Sequence, residues 1–243
     1  MNIEFKSLIS QIQKALEPIT RLNERVNEFI QDNPDFLNNL QDYLKNWPQY
    51  HKDSWVKLAE FGWYLNWYTP ITIETVLTKD QNTLNGFMAD HLNSEWDEIT
   101  SKILTFYPER KHILETAFRL HQDKNYIACI PLFFSQIDGI CAQVIGAFLF
   151  SEHERRQAEI QNIIAESDSV LSDVFLEVLN SETQFGASIS KASSAKKALA
   201  PNRNGILHGS RKHLDYGSEI NSLKAFSLLA FIVFCFDKNK DNL

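Results

Sequence analysis

The sequence predicts an all-α protein, a helical bundle, on three observations. Apolar residues recur at steps of three and four along nearly the whole chain, two-residue alternation is rare, and only 8 of 243 residues are glycine. With 44% apolar side chains the chain can bury one large helical core, or two smaller ones, without disulfides. Cys129, Cys141 and Cys235 are odd in number and lie in apolar stretches, as buried thiols of a reducing, cytoplasmic compartment do. Residues Met1 to Lys6 show no basic stretch followed by an apolar run, so no secretory signal is visible.

Taken in order, the first element runs from Phe5 through Leu8, Ile12, Ala15, Ile19, Leu22, Val26 and Phe29. That is a coiled-coil-like seam, kinked or divided by Pro18 and ended by Asn33-Pro34. The same spacing serves an amphipathic helix packed within its own chain or a contact with a partner. All five tryptophans fall between Trp47 and Trp96. After Asp53 a helix is expected, with Trp55, Leu58, Phe61, Leu65 and Tyr68 on one stripe and Trp63 and Trp67 on another. The second pair either packs on a neighbouring helix or stacks on unpaired bases, and the acidity of this region favours packing. Thr69-Pro70 closes the element, and Phe106-Tyr107-Pro108 marks a boundary between an N-terminal helical module, 1–107, and a C-terminal helical domain, 108–243.

The C-terminal half opens with a helix from Glu109 to Gln122 and a turn at Asp123, Lys124 and Asn125. A long apolar helix follows from Tyr126 to Phe150, with Pro131, Gln136, Asp138 and Gln143 inside it. A carboxylate and two amides near its centre fit a buried bundle helix rather than a membrane span. Asp138 is the one charge in this helix, and a buried carboxylate needs a cation or donors; it either faces Arg203 or His208 or lies on the helix surface. Ser218 caps the last helix, whose apolar run from Ala225 to Phe236 is too short to cross a bilayer. No membrane partner is expected.

The stretch Asn202-Arg203-Asn204-Gly205-Ile206-Leu207-His208-Gly209 carries the chemistry. A guanidinium holds and neutralises a phosphate, and an imidazole that titrates near neutral pH moves a proton to or from an RNA hydroxyl. Pro201 suits the first turn of a helix and Gly209 the left-handed residue that ends one, so Arg203 to His208 reads as a short helix with a functional group at each end. Gly205 is a poor helix former inside it. Between Glu182 and Asp215 no acidic residue occurs, while Lys191, Lys196, Lys197, Arg203, Arg211 and Lys212 all do. A polyanion is drawn to such a segment, and Lys196, Lys197, Arg211 and Lys212 are the candidate RNA contacts. On a helix, positions five apart lie about 140° apart, which favours a two-fold dimer in which both copies of the motif line one cleft.

Arg203, Asn204 and His208 resemble the motif of the HEPN superfamily, whose ribonuclease members carry an Arg, four to six intervening residues and a His, with a polar residue after the Arg. The resemblance covers about residues 108–243 and is strongest over 202–217; residues 1–107 match no family known to us. It implies a helical homodimer and a metal-independent endoribonuclease. In it, His208 serves as general base or acid, Arg203 stabilises the phosphorane, and Asn204 positions the phosphate or His208. It further implies that Asp138 orients the site, and it points to a toxin of a toxin–antitoxin pair or a phage-defence effector, held in check by an antitoxin or regulatory protein. His213 and Tyr216, which follow the motif, are candidate supporting residues. A binding module with the same fold, taking RNA or a protein without cutting, is the alternative.

Other chemistry finds little in the chain. The net charge of −7 argues against coating nucleic acid over the whole surface, and the acidity is concentrated in residues 1–107, with nine basic and fifteen acidic side chains. Glu109 and His112 have the spacing of a helical di-metal ligand pair, but no second pair exists. Neither a phosphate-cradling glycine loop nor a nucleophile elbow is present, and no metal or cofactor is expected.

Overall fold

The computed structural model describes residues 31–35, 51–70, 80–166, 174, 176–179, 184–189 and 199–237. All regular structure among them is helical, with no strand. The chain divides into two compact units, Met1–Trp47 and Pro48–Leu243. In the first, a helical turn stops at Asp32, ahead of Asn33 and Pro34, where the missing proline N–H would break it. The apolar seam from Phe5 to Phe29 lies outside the described residues, as do Lys191, Lys196 and Lys197.

In the second unit the helices are α1 Gln81–Ser94, α2 Trp96–Phe106, α3 Lys111–Gln122, α4 Tyr126–Val144, α5 His153–Ala165, α6 Arg203–Leu207 and α7 Glu219–Cys235. Helix α7 is the axis of the core, since every residue from Ser222 to Cys235 is buried. It packs chiefly on α4, which also packs on α3, while α1 and α2 cover other parts of α7. Ser218 caps α7 by accepting from the Asn221 N–H at 3.3 Å. Around it Trp96 stacks on Phe226 at 4.2 Å, and Phe118 meets the edges of both rings. Each such ring contributes about 1.5–3 kcal/mol by leaving water.

The expected boundary at Pro108 is not where the structure divides. Pro108 opens a 3-10 turn, Pro108–Arg110, that joins α2 to α3 within one unit. A proline ends a helix without ending a core, and α2 packs on both α3 and α7. Residues 48–107 therefore share the unit that holds the motif.

Two helices stop earlier than their apolar pattern suggests. Helix α4 ends at Val144 because Gly146 takes the left-handed conformation, φ 83°, and turns the chain back. The helix over 51–60 ends before Gly62, φ 79°, where an added Cβ would sit 2.6 Å from Ala200 Cβ. Trp63 and Trp67 are thus not a helical stripe. The Trp63 ring is fully buried and its indole N–H donates to Asn85 Oδ1 at 2.9 Å. Trp67 donates to Asp237 Oδ2 at 2.7 Å and stacks on Phe106. Both rings pack within the protein.

Helix α4 is long and apolar enough to cross a membrane by composition, and half of its span is buried in this unit. Gln136, Asp138 and Gln143 are engaged by arginines. Arg110 donates to Gln136 Oε1, the Gly139 carbonyl and Gln143 Oε1, at 3.1–3.2 Å, and Asp138 pairs with Arg203. The three cysteines are buried as thiols. Cys129 Sγ lies 3.0 Å from Ser222 Oγ, which in turn lies 2.7 Å from His121 Nδ1. Burial pushes that imidazole down to about 4, so it sits neutral in the core.

Candidate active site

The motif begins at a cap. Asn202 is the N-cap of α6, with its side-chain oxygen accepting from the Gly205 N–H at 2.6 Å. Its amide donates to the Ala187 carbonyl at 2.7 Å, which ties the motif to the 3-10 turn Gln184–Gly186 and the residues after it. Pro201 lies one residue before the cap rather than in the first turn. At the other end the His208 N–H bonds the Asn204 carbonyl, and Gly209, φ 62°, makes the left-handed exit.

Arg203 is held from several sides. One Nη donates to Asp138 Oδ2 at 2.6 Å, the other to Asn204 Oδ1 at 3.0 Å, and the guanidinium carbon stands 5.5 Å from the centre of the Phe150 ring. Of the two partners open to Asp138 from sequence, the fold selects Arg203. The second carboxylate oxygen of Asp138 accepts from the Phe150 N–H at 3.2 Å. Burial pushes the Asp138 carboxyl above its ordinary value, and the attraction of Arg203 and the backbone N–H groups of Phe150 and Leu149 offset only part of that.

Arg203, Asn204, His208, Ser210 and Lys212 line one open depression of about 830 Å³, with Phe150 at its wall. Arg203 remains 20% exposed there, and His208 and Lys212 are exposed. Five steps along a helix rise about 7.5 Å, so guanidinium and imidazole stand at opposite ends of α6 and still face a common space. The polar set is two cations, one imidazole, an amide and the three serines Ser151, Ser188 and Ser210. Such a set receives an anion spread over several oxygens, with a proton carrier at its edge.

Other candidates fall elsewhere. His213, expected to assist phosphate binding, is 4% exposed, and its buried Nε2 has no hydrogen-bond partner among the described residues. Its ring covers Gly205: a Cβ at that position would lie 2.1 Å from His213 Cδ2. That is why a poor helix former sits inside α6. Tyr216 donates its hydroxyl to the Ile127 carbonyl at 3.1 Å and pins the loop to the start of α4, away from the depression. Arg211 is exposed but does not line the depression. Sequence reasoning missed Asn202, whose residue type before a helix is itself a cap signal, and Phe150, for which no local pattern exists.

Gly205→Ala separates the two roles of this glycine. Helix propensity alone would make it stabilising by about 1 kcal/mol, whereas displacing the His213 ring costs about 1–3 kcal/mol. Thermal denaturation should show a lower midpoint; a higher one would mean that the ring does not cover this position.

No family model, curated protein or solved structure matches the chain.

Proposed function

We propose that the chain is a metal-independent endoribonuclease of HEPN type that cuts single-stranded or looped RNA. The observation that carries this reading is the depression in which Arg203, Asn204, His208 and Lys212 meet, with Arg203 fixed from behind by Asp138. Arg203 and Lys212 hold the scissile phosphate and His208 withdraws the proton of the adjacent 2'-hydroxyl or delivers one to the leaving oxygen. The O2'–P bond forms as the P–O5' bond breaks. One product ends in a 2',3'-cyclic phosphate and the other in a 5'-hydroxyl, with no water, oxidant or cofactor consumed.

The acting form is a homodimer in this reading. Leu207 and Leu214, beside the motif, are exposed large apolar residues at 41% and 68%, a surface that suits a second copy of the chain. The setting that follows is a toxin of a toxin–antitoxin pair or a phage-defence effector in the cytoplasm, restrained by an antitoxin or regulatory protein.

Product-end analysis of a mixed RNA in EDTA tests this. Wild type should generate cyclic phosphate and 5'-hydroxyl ends, with cleavage falling about 10²–10⁴-fold in His208→Ala and about 10²–10³-fold in Arg203→Ala. His208 is exposed, so its variant should melt with wild type. Binding without cutting by wild type would instead make the chain an RNA-binding or protein-interaction module.

A further inference from the structure

We infer that the turn Leu149-Phe150, anchored by the buried Arg156, is the positioning device that holds the Arg203 guanidinium in one plane toward the phosphodiester; this rests on the nuclease reading of the same site. Gly146 turns the chain after α4 so that residues 147–150 return alongside Asp138. There the Phe150 N–H takes one carboxylate oxygen and Arg203 takes the other. The Phe150 ring stands against the guanidinium, and Phe134 presents a T-shaped contact to that ring at 5.8 Å. Phe134 is fully buried and meets Phe185 in turn, so the ring behind Arg203 is backed by core.

Arg156 secures the other side of the turn. It is 7% exposed, donates to the Leu149 carbonyl, and keeps a buried Nε with no hydrogen-bond partner among the described residues. A cation withdrawn from water and bound to one carbonyl is a costly way to hold a turn. Its bond to the Leu149 carbonyl fixes the residue beside Phe150, whose N–H holds Asp138 and whose ring stands against Arg203 at the depression. A flat guanidinium backed by a ring and tied at one Nη to Asp138 and at the other to Asn204 is fixed in orientation, and the second hydrogen of each Nη is what remains for phosphate oxygens.

The test uses the full chain and two readouts. In ¹⁵N spectra the Arg203 side chain should give separate, slowly averaging Nη–H signals, which collapse in Phe150→Leu and return in Phe150→Tyr. Steady-state cleavage should show kcat falling about 10–100-fold in Phe150→Leu with KM changed less than threefold, as a lost orientation does. Arg156→Met reads the same signals if Phe150→Leu fails to fold. Unchanged Arg203 signals together with unchanged kcat overturn the proposal. Collapse of the signals in a protein whose wild type cuts no RNA leaves the positioning role standing and removes the nuclease reading.

Discussion

Asp138→Ala should lower the unfolding free energy by about 3–5 kcal/mol, because it leaves a guanidinium unpaired in a mostly buried place. For a unit of this size the melting midpoint then falls by on the order of 10 °C. The cost has two sources: Arg203 loses the acceptor of its shortest hydrogen bond and the Phe150 N–H loses its acceptor as well. Asp138→Asn keeps an acceptor for one of them and should cost about half as much. Combining Asp138→Ala with Arg203→Met should recover stability relative to Asp138→Ala alone, since no orphan charge remains. Urea denaturation of wild type, Asp138→Ala, Arg203→Met and the double variant reads this cycle directly. An Asp138→Ala protein as stable as wild type would mean that Arg203 finds water through the open depression and that Asp138 does not hold it.

This pairing was legible in the sequence only in part. A single carboxylate in a long apolar helix needs a cation or donors when buried, but the residues left Arg203, His208 and a surface position open, and the fold chose Arg203. The helices were legible, since a period of three to four survives any rearrangement of neighbours. Endings were harder. Ile145, Ala147 and Leu149 are buried although they lie past the end of α4, so burial alone made them look like more helix. Trp63 and Trp67 misled similarly, because their four-residue spacing fits a helix that Gly62 has already ended. The place of His213 was hidden in a different way. Next to Arg211 and Lys212 it reads as part of a basic surface, yet its ring is turned inward onto Gly205. The clue was the glycine: a residue without a Cβ inside a short helix marks a close approach, and here the approaching group is that imidazole. Phe150 left no trace in sequence, because its role depends on a turn that only the folded chain makes.

Lys224→Met should stabilise the protein at neutral and acid pH. Lys224 is fully buried in the core helix α7, where its Nζ donates to the Leu199 carbonyl and stands 5.2 Å from the centre of the Trp63 ring. No carboxylate pairs with it among the described residues, and burial pushes it from its ordinary value of 10.5 to about 7. The unfolded chain therefore keeps this proton up to about pH 10.5 while the folded chain gives it up near 7. Over that window unfolding takes up a proton, so stability rises with pH by up to about 1.4 kcal/mol per unit. Below the window the burial penalty is fully present, up to about 5 kcal/mol in total. Methionine has a similar length and no charge, so the variant should gain stability at pH 6, approach wild type near pH 10, and lack this component of the slope. A variant less stable than wild type at pH 6 would show that the carbonyl and the indole ring compensate the buried ammonium, and that its main work is to hold Leu199. That alternative has a functional edge, because Leu199 leads within three residues to Asn202, the cap of the motif helix. In that case RNA cleavage, if present, would weaken along with stability, whereas removal of a mere burial penalty leaves the approach to α6 in place.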